Sequence, residues 1–238
     1  MMRKTIAKKI QISNKQFRLR GHEVKRIEAF SDAVFAFAVT LLIVSLEVPK
    51  TFEELMVTMK GFFAFGISFL FLMLIWYEQN MFFRRFALDD KTTIFLNSAL
   101  MFIVLFYVYP LKFLFTLMFN SVSAMVQIEQ RQVPSLMYIY SAGYIIIYLL
   151  FFFMYLHACR KKDELELTAI ELHDTKTRMW AQLILVMIGL LCVFTVSILP
   201  VERAGSAGFV FFLIGPVFSI YFSVRGKKRR KMQKEIAE

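Results

Sequence analysis

Three charged side chains stand at the beginning of a long apolar segment, where charge is unusual. Arg26, Glu28 and Asp32 precede residues 33–46, which are apolar apart from Thr40 and one serine. A charge within a membrane helix costs about 3 kcal/mol, so it normally has a partner and a purpose. Asp32 could bind a proton or a sodium ion, or it could join a hydrogen-bonded network with Arg26, from its own or a neighbouring helix, as its partner. We expect Asp32 to be buried among helices of its own subunit.

A helical wheel of this segment separates two faces. At about 100° per residue, one line within about 40° contains six residues: Arg26, Phe30, Ala33, Phe37, Thr40 and Val44. Small side chains lie beside this line at Ala29, Ala33, Ala36 and Thr40, and such strips let membrane helices approach closely. Asp32 points about 120° away from the line, and Ser31 lies on the far side. Alternatively, Phe37 and Val44 are ordinary core, and Thr40 only bonds back to the carbonyl four residues earlier.

The composition indicates an all-α integral membrane protein. The chain has 238 residues, of which 58% are hydrophobic and 28 are Phe, whereas soluble domains average about 45–50% apolar residues. The apolar residues fall into runs long enough to cross a bilayer. We predict six transmembrane helices at about 27–48, 61–76, 92–119, 136–158, 179–199 and 208–224.

The connections contain the expected breaks. Arg84-Arg85 and Asp89-Asp90 separate the second span from the third, and loops are expected at 120–134 and 200–206. Pro110 is expected to kink or end the third helix, and Gly215-Pro216 to bend the sixth. The charged residues 160–178 are expected to form a short interfacial helix.

Positive charge sets the predicted orientation. The net charge is +11, and most Lys and Arg residues lie in the two tails and in the connections on the same side. The opposite loops hold only Lys50, Lys60, Arg131 and Arg203, with Lys112 inside a span. We therefore expect a multi-pass cell-membrane protein with both termini cytoplasmic and anionic lipid at its basic tails. The predicted domains are a basic arm (1–26), a six-helix transmembrane domain (27–224) and a basic tail (225–238). Nothing resembles a surface for nucleic acid.

The chain lacks the usual enzyme constellations. His22, His157 and His173 form no pair at metal-ligand spacing, and Ser31-Asp32 has no histidine partner. Cys159 and Cys192 are expected to be packing residues. We expect no enzyme activity, no resident metal and no cofactor.

The first segment resembles a known family signature. Arg26-x-x-x-Phe30-Ser31-Asp32, followed by the alanine-rich stretch and Thr40-Leu41-Leu42, is similar to the first helix of the transmembrane-protein-175 family of potassium-permeable channels. The likeness continues at Glu47, Pro49, Trp76, Asn97 and Pro110. The six-span topology also resembles that of the single-repeat bacterial members.

This resemblance implies a homotetramer with the first helix of each subunit lining a central pore. Phe37 would form the constriction, Thr40 the hydroxyl layer that favours potassium over sodium, and Val44 an outer apolar ring. A signature and helix-packing network would hold the pore helix: Arg26, Phe30, Ser31, Asp32, Trp76, Gln79 and Asn97. The expected function is passive, potassium-favouring cation conduction through a hydrophobic gate without a Thr-Val-Gly-Tyr-Gly filter loop.

Two positions depart from the family pattern. Phe37 is bulkier than the aliphatic residue common at the constriction, and Gln79-Asn80 stand where relatives often have histidine. The alternative function is a proton- or sodium-coupled secondary transporter that uses Asp32. A structural or lipid-binding membrane protein is a third interpretation.

Overall fold

The computed structural model describes residues 17–21, 23–44, 50–119 and 128–236, except for a few side chains within the helices, Val44 among them. These residues form six α-helices and two 3₁₀ segments. The α-helices are α1 (Arg26–Val44), α2 (Phe52–Phe86), α3 (Lys91–Phe119), α4 (Val133–Arg160), α5 (Ala169–Ile198) and α6 (Ile214–Glu235). The 3₁₀ segments are Gln130–Gln132 and Val201–Leu213.

Five segments of the described chain are long and apolar enough to cross a membrane. They are Phe62–Phe86, Lys91–Leu114, Gln130–Arg160, Ala169–Ile198 and Val201–Glu235. The chain is therefore all-helical and multi-pass. Helix α1 is not among the five: it has 19 residues and carries Arg26, Glu28 and Asp32 in its first two turns.

Local sequence explains where α2 begins and ends. The Thr51 hydroxyl accepts a hydrogen bond from the Glu54 backbone N–H at 3.1 Å, which caps the first turn. At the other end, Ala87 adopts a left-handed conformation with φ 48°, and its N–H donates to the Phe83 carbonyl. With 35 residues the helix is about 52 Å long, which exceeds the roughly 30 Å hydrocarbon thickness. The break predicted between the second and third spans is confirmed.

The expected short interfacial helix in residues 160–178 is wrong. Helix α5 begins at Ala169 and continues without interruption to Ile198. Its start is fixed by a capping box: the Thr168 hydroxyl accepts from the Glu171 N–H at 3.2 Å, and a Glu171 carboxylate oxygen accepts from the Thr168 N–H at 3.0 Å. The charged residues before Met179 are thus the first turns of the fifth membrane helix.

Two proline predictions have different outcomes. Pro110 does not end the third helix, because α3 continues from it to Phe119. Gly215-Pro216 lies in the first turn of α6, directly after the 3₁₀ segment, and helical structure continues through both residues, so the bend there stays a prediction. The loop expected at 200–206 is wrong, since helical structure starts at Val201. Helix α6 also continues through residue 225, the predicted start of the tail.

The main core joins the first four helices. Helix α1 packs against α2 and α3, while α4 packs along α5. Phe35, Leu42, Phe82, Leu100 and Phe151 are among its buried residues. A second cluster lies between α4, α5 and the longer 3₁₀ segment and includes Met137, Cys192 and Val196.

Candidate functional site

Helix α1 has one face packed against its own subunit and one face bare. Ser31, Phe35, Ala38 and Leu42 are buried, and their spacing of four, three and four residues is that of one helix face. These side chains contact the core formed with α2 and α3. Their burial fixes the rotation of α1 about its axis.

The opposite face of α1 is exposed along its whole described length. It carries Ala29, Phe30, Ala33, Ala36, Phe37, Thr40 and Ile43, all of them exposed. Phe37 is 57% exposed, so it is not part of the core of its own subunit. This bare face contains the line read from the sequence, although the Val44 side chain lies outside the described residues.

A chain of buried polar side chains ties the packed face of α1 to two neighbouring helices. The Ser31 hydroxyl donates to the Ile27 carbonyl at 2.8 Å and accepts from the Asn97 amide nitrogen at 2.8 Å. The Asn97 amide oxygen in turn accepts from the Gln79 amide nitrogen at 3.0 Å. Ser31, Asn97 and Gln79 are all buried. Polar groups inside an apolar bundle are tolerated when they bond to one another, so the chain specifies how α1, α2 and α3 meet.

Asp32 makes a separate contact with α2. Its carboxylate accepts a hydrogen bond from the Trp76 indole nitrogen at 2.7 Å, at an exposed edge of the single chain. The expectation that Asp32 is buried within its own subunit is therefore wrong for the described chain, and Asp32 does not pair with Arg26 of the same helix. Six residues correspond to about 240° on the wheel, so the two side chains leave α1 in different directions. Arg26 is exposed and forms no side-chain hydrogen bond or ion pair with any other described residue.

The structure thus brings together five of the seven residues expected in the network. Ser31, Asn97 and Gln79 form one chain, and Asp32 and Trp76 form one pair. Arg26 and Phe30 are exposed and lie outside both groups.

Thr40 makes the back-bond expected of a threonine in a helix and also lies on the exposed face. Its hydroxyl donates to the Ala36 carbonyl at 3.0 Å, which is the back-bond expected of a threonine in a helix. The side chain is nevertheless exposed on the bare face. Because the hydroxyl hydrogen is used within the helix, the lone pairs of the oxygen remain available as acceptors on that face.

Sequence reasoning missed the contacts that hold the two ends of α1. At the far end, the Lys112 ammonium of α3 donates to the Leu42 carbonyl at 3.0 Å, where the helix dipole favours positive charge. At the near end, the Lys25 ammonium donates to the Ala87 carbonyl at 2.7 Å and to Asp89 at 2.8 Å. The sequence did indicate that Lys112 needs a partner, because a lysine inside an apolar span normally has one.

Residues 17–21 also lie against the protein. The backbone N–H groups of Arg20 and Gly21 donate to the Arg84 carbonyl, and the Arg20 guanidinium binds Glu171 at 3.0 Å. The ring of Phe17 packs edge-on against Phe86 with 5.6 Å between centroids. This segment therefore connects the start of α1 to the ends of α2 and α5.

In the loop before α3, the pKa of the Asp90 carboxyl group is shifted from its ordinary value. Burial alone raises the pKa of Asp90, but the Thr93 hydroxyl at 2.6 Å and the His157 ring at 2.9 Å, with Lys161, hold that pKa below its ordinary value. Within the described ranges, no cluster of three or more His, Cys, Asp or Glu side chains has the proximity to hold a metal ion.

An all-helical chain with five membrane-crossing segments and a bare, apolar helix face is an integral membrane protein of the multi-pass type. A family model described as endosomal/lysosomal potassium channel TMEM175 matches residues 26–107. A potassium channel of Marivirga tractuosa is 36% identical over 233 residues, which cover 92% of this chain and 94% of that protein. The chain belongs to the TMEM175 family, as the signature around Phe30-Ser31-Asp32 indicated.

Two further comparisons agree with this assignment. A potassium channel of Streptomyces collinus is 35% identical over 89 residues, covering 35% of this chain and 43% of that protein. The crystal structure of a variant of the potassium channel MtTMEM175, in complex with a Nanobody-MBP fusion protein, superposes with a TM-score of 0.77 at 33% identity. That match covers 89% of this chain and 97% of the crystallised one. The family consists of ion channels, not enzymes.

Proposed function

We propose that this chain is a potassium-favouring cation channel, in which four copies surround a central pore lined by α1. The observation that carries the proposal is the bare face of α1, which is apolar, exposed and backed by a fixed set of hydrogen bonds. The relatives named as potassium channels support the identity of the ion. No cofactor is required, because the ion moves down its own gradient.

The dimensions of α1 suit a pore helix. Its 19 residues are about 28 Å long, close to the roughly 30 Å hydrocarbon thickness. Ala29, Ala33 and Ala36 keep its exposed face narrow, so copies of the helix can approach one another. In this arrangement α1 is the sixth membrane span, and its charged residues lie in its first two turns.

Hydrophobic gating follows from the residues on this face. A ring of four Phe37 side chains would form a narrow apolar constriction that resists wetting, and Val44 would form a second ring nearer the end of the helix. Opening then requires the Phe37 rings to turn aside or the four helices to move apart.

Thr40 is the proposed selectivity residue. Its oxygen keeps free lone pairs because the hydroxyl hydrogen is donated to Ala36. Four such oxygens would partly replace the hydration shell of potassium. Sodium holds its water more tightly, so the same oxygens compensate less of its dehydration.

The hydrogen-bonded residues behind the pore helix have a positioning role in this proposal. Ser31 and Asp32 tie α1 to α2 and α3, and neither faces the line of Phe37 and Thr40.

The basic arm (1–26) and tail (225–238) then flank a six-helix domain (27–224) with both ends in the cytoplasm. Their positive charge would contact anionic lipid of the cell membrane.

The test is ion flux from liposomes that contain the purified full-length protein. With potassium inside and a protonophore as control, downhill potassium efflux without any requirement for a proton or sodium gradient supports the channel. Strict coupling to either gradient would instead indicate a transporter that uses Asp32. Thr40→Val should lower the preference for potassium over sodium in the same assay. Its matched control is Thr195→Val, because Thr195 makes the same back-bond on α5, to the Leu191 carbonyl at 2.8 Å.

A further inference from the structure

A basic cavity of about 220 Å³ lies at the charged ends of α2, α5 and α6. Four arginines line it: Arg85, Arg178, Arg225 and Arg229. The other polar lining residues are His173, Asp174 and Thr177. A space of this size holds several water molecules and therefore has room for a phosphate group.

The carboxylates nearby neutralise only two of these four arginines, Arg178, which lies 3.5 Å from a Glu78 oxygen, and Arg229. Asp174 pairs with Arg229, whose Nε–H donates to the two Asp174 carboxylate oxygens at 3.0 and 2.9 Å. Arg225 bonds to uncharged partners, the Thr177 hydroxyl at 2.9 Å and the His173 carbonyl at 3.3 Å. Arg85 has no carboxylate within ion-pair distance among the described residues. The cavity therefore has an excess of positive charge.

Two buried nitrogens at this cavity have no hydrogen-bond partner in the described part of the chain. They are Arg85 Nε and His173 Nε2. The His173 side chain is only 7% exposed, so water does not readily satisfy it. Buried polar atoms are almost always paired, so two unpaired ones on side chains that line one cavity leave hydrogen-bonding capacity unused there by the described chain.

An apolar groove of about 520 Å³ lies on the same two helices, next to the cavity. Trp180, Ile184 and Met187 of α5 and Val217 of α6 line it. Along α5 the groove extends from Trp180 to Leu191, which is about 17 Å and close to half of a 30 Å hydrocarbon core. Arg178 of the cavity lies two residues before Trp180 of the groove, and Phe222 of the cavity directly follows Tyr221 of the groove.

We propose that the basic cavity and the apolar groove form one site for an anionic phospholipid of the cytoplasmic leaflet. The phosphate contacts the guanidinium groups, which suit phosphate oxygens in geometry and charge, and an acyl chain lies in the groove. A free phosphate anion would use the cavity alone, whereas a lipid uses both parts. The assignment of this site to the cytoplasmic leaflet rests on the membrane orientation given under the proposed function.

Lipid at this site would link three helices. Arg85 ends the helix that carries Trp76 and Gln79, and these residues hold α1. Arg225 belongs to α6 and bonds to α5. Because a ligand of the folded state stabilises it by mass action, anionic lipid should stabilise the packing behind the proposed pore helix.

The experiment is native mass spectrometry of the full-length protein in detergent, titrated with phosphatidylglycerol or phosphatidylcholine. The expected result is tighter binding of phosphatidylglycerol. Arg225→Gln should weaken that binding about fivefold, the usual attraction of one basic residue to anionic lipid, whereas the exposed Lys227→Gln should change it by less than about twofold. Arg85→Gln, which removes the contact of the guanidinium with the Phe17 ring but no side-chain hydrogen bond to a described residue, should act like Arg225→Gln. Met187→Trp, which fills the groove, should weaken binding of the lipid more than Leu190→Trp, which lies outside the groove on the same helix.

Several results would overturn the lipid site. They are equal binding of the two lipids, equal effects of Arg225→Gln and Lys227→Gln, or equal effects of the two tryptophan variants. Displacement of phosphatidylglycerol by millimolar inorganic phosphate or glycerol phosphate would show that the cavity takes a free anion instead. Potassium flux is measured separately, so a conducting protein without lipid preference would refute this site and leave the proposed channel intact.

Discussion

Asn97→Leu is the sharpest test of how the proposed pore helix is held. Asn97 joins Ser31 on α1 to Gln79 on α2, and all three side chains are buried. Leucine removes two hydrogen bonds of about 1 kcal/mol each and leaves the buried Gln79 amide without its partner, which costs about 1 kcal/mol more. We therefore expect a loss of about 3 kcal/mol in the free energy of unfolding.

The assay is thermal unfolding in detergent, followed by fluorescence-detected size exclusion. For a chain of this size, about 3 kcal/mol lowers the melting temperature by about 9 °C. The double variant Asn97→Leu/Gln79→Leu should be more stable than Asn97→Leu alone, because it removes the unpaired amide as well. Thr195→Val, which removes an exposed back-bonded hydroxyl from α5, is the control.

Two outcomes would refute this reasoning. An unchanged melting temperature for Asn97→Leu would mean that the buried hydrogen-bond chain does not hold α1. A double variant whose loss equals the sum of the two single losses would mean that Asn97 and Gln79 act independently, contrary to their 3.0 Å contact.

Four further predictions concern other parts of the molecule. Thr40→Val should narrow the preference for potassium over sodium, seen as a shifted reversal potential in mixed salts; an unchanged reversal potential would exclude the Thr40 oxygen as a selectivity group. Asp32→Ala should reduce the yield of assembled protein in size exclusion more than conduction per channel, because Asp32 bonds to Trp76 rather than facing Thr40; normal assembly with altered permeation would place it on the ion path. Glu171→Gln should destabilise the protein by about 2 kcal/mol in thermal unfolding, because it removes the negative charge that pairs with Arg20 and leaves that guanidinium mainly with carbonyl acceptors such as Leu165. A loss below about 1 kcal/mol would show that residues 17–21 are not held by this pair. The pKa of Asp90 is lower in the folded state than in the unfolded state, where it is about 3.9, so the ionised carboxylate stabilises the fold above that pH and this stability is lost as the pH falls through the folded-state pKa. Asp90→Asn should therefore make the loss of stability between about pH 5 and pH 2 shallower. An unchanged profile of stability against pH would contradict this.

The wheel of α1 separated two faces in the sequence, but it left open whether Phe37 and Val44 belong to the core of the subunit. Small and apolar residues recur on one line from Ala33 to Thr40, and the structure leaves that line exposed while it buries Ser31 and Phe35. The wheel succeeds here because the two faces differ in side-chain size and because α1 packs on one side only. The break at Ala87 was also predictable, since charged turns act locally.

The pairing of side chains between helices was not predictable in the same way. Nothing in the wheel of α1 shows that Asp32 meets Trp76, because that contact depends on where another helix crosses. The uninterrupted start of α5 depends on a capping box at Thr168, and its charged turns had looked like a separate helix. Residues 17–21 look like a solvated arm in sequence, but their backbone N–H groups and Arg20 find acceptors on distant segments.

The central claim is that the bare face of α1 lines the conducting pathway, and cysteine accessibility tests it most directly. In a background with Cys159→Ser and Cys192→Ser, Thr40→Cys is placed on that face and Thr195→Cys on α5. Potassium flux is then measured from liposomes before and after addition of a thiol-reactive silver or cadmium ion. We expect rapid block of the Thr40→Cys protein and no block of the Thr195→Cys protein. Undiminished flux through Thr40→Cys, with the thiol shown to be modified, would contradict it.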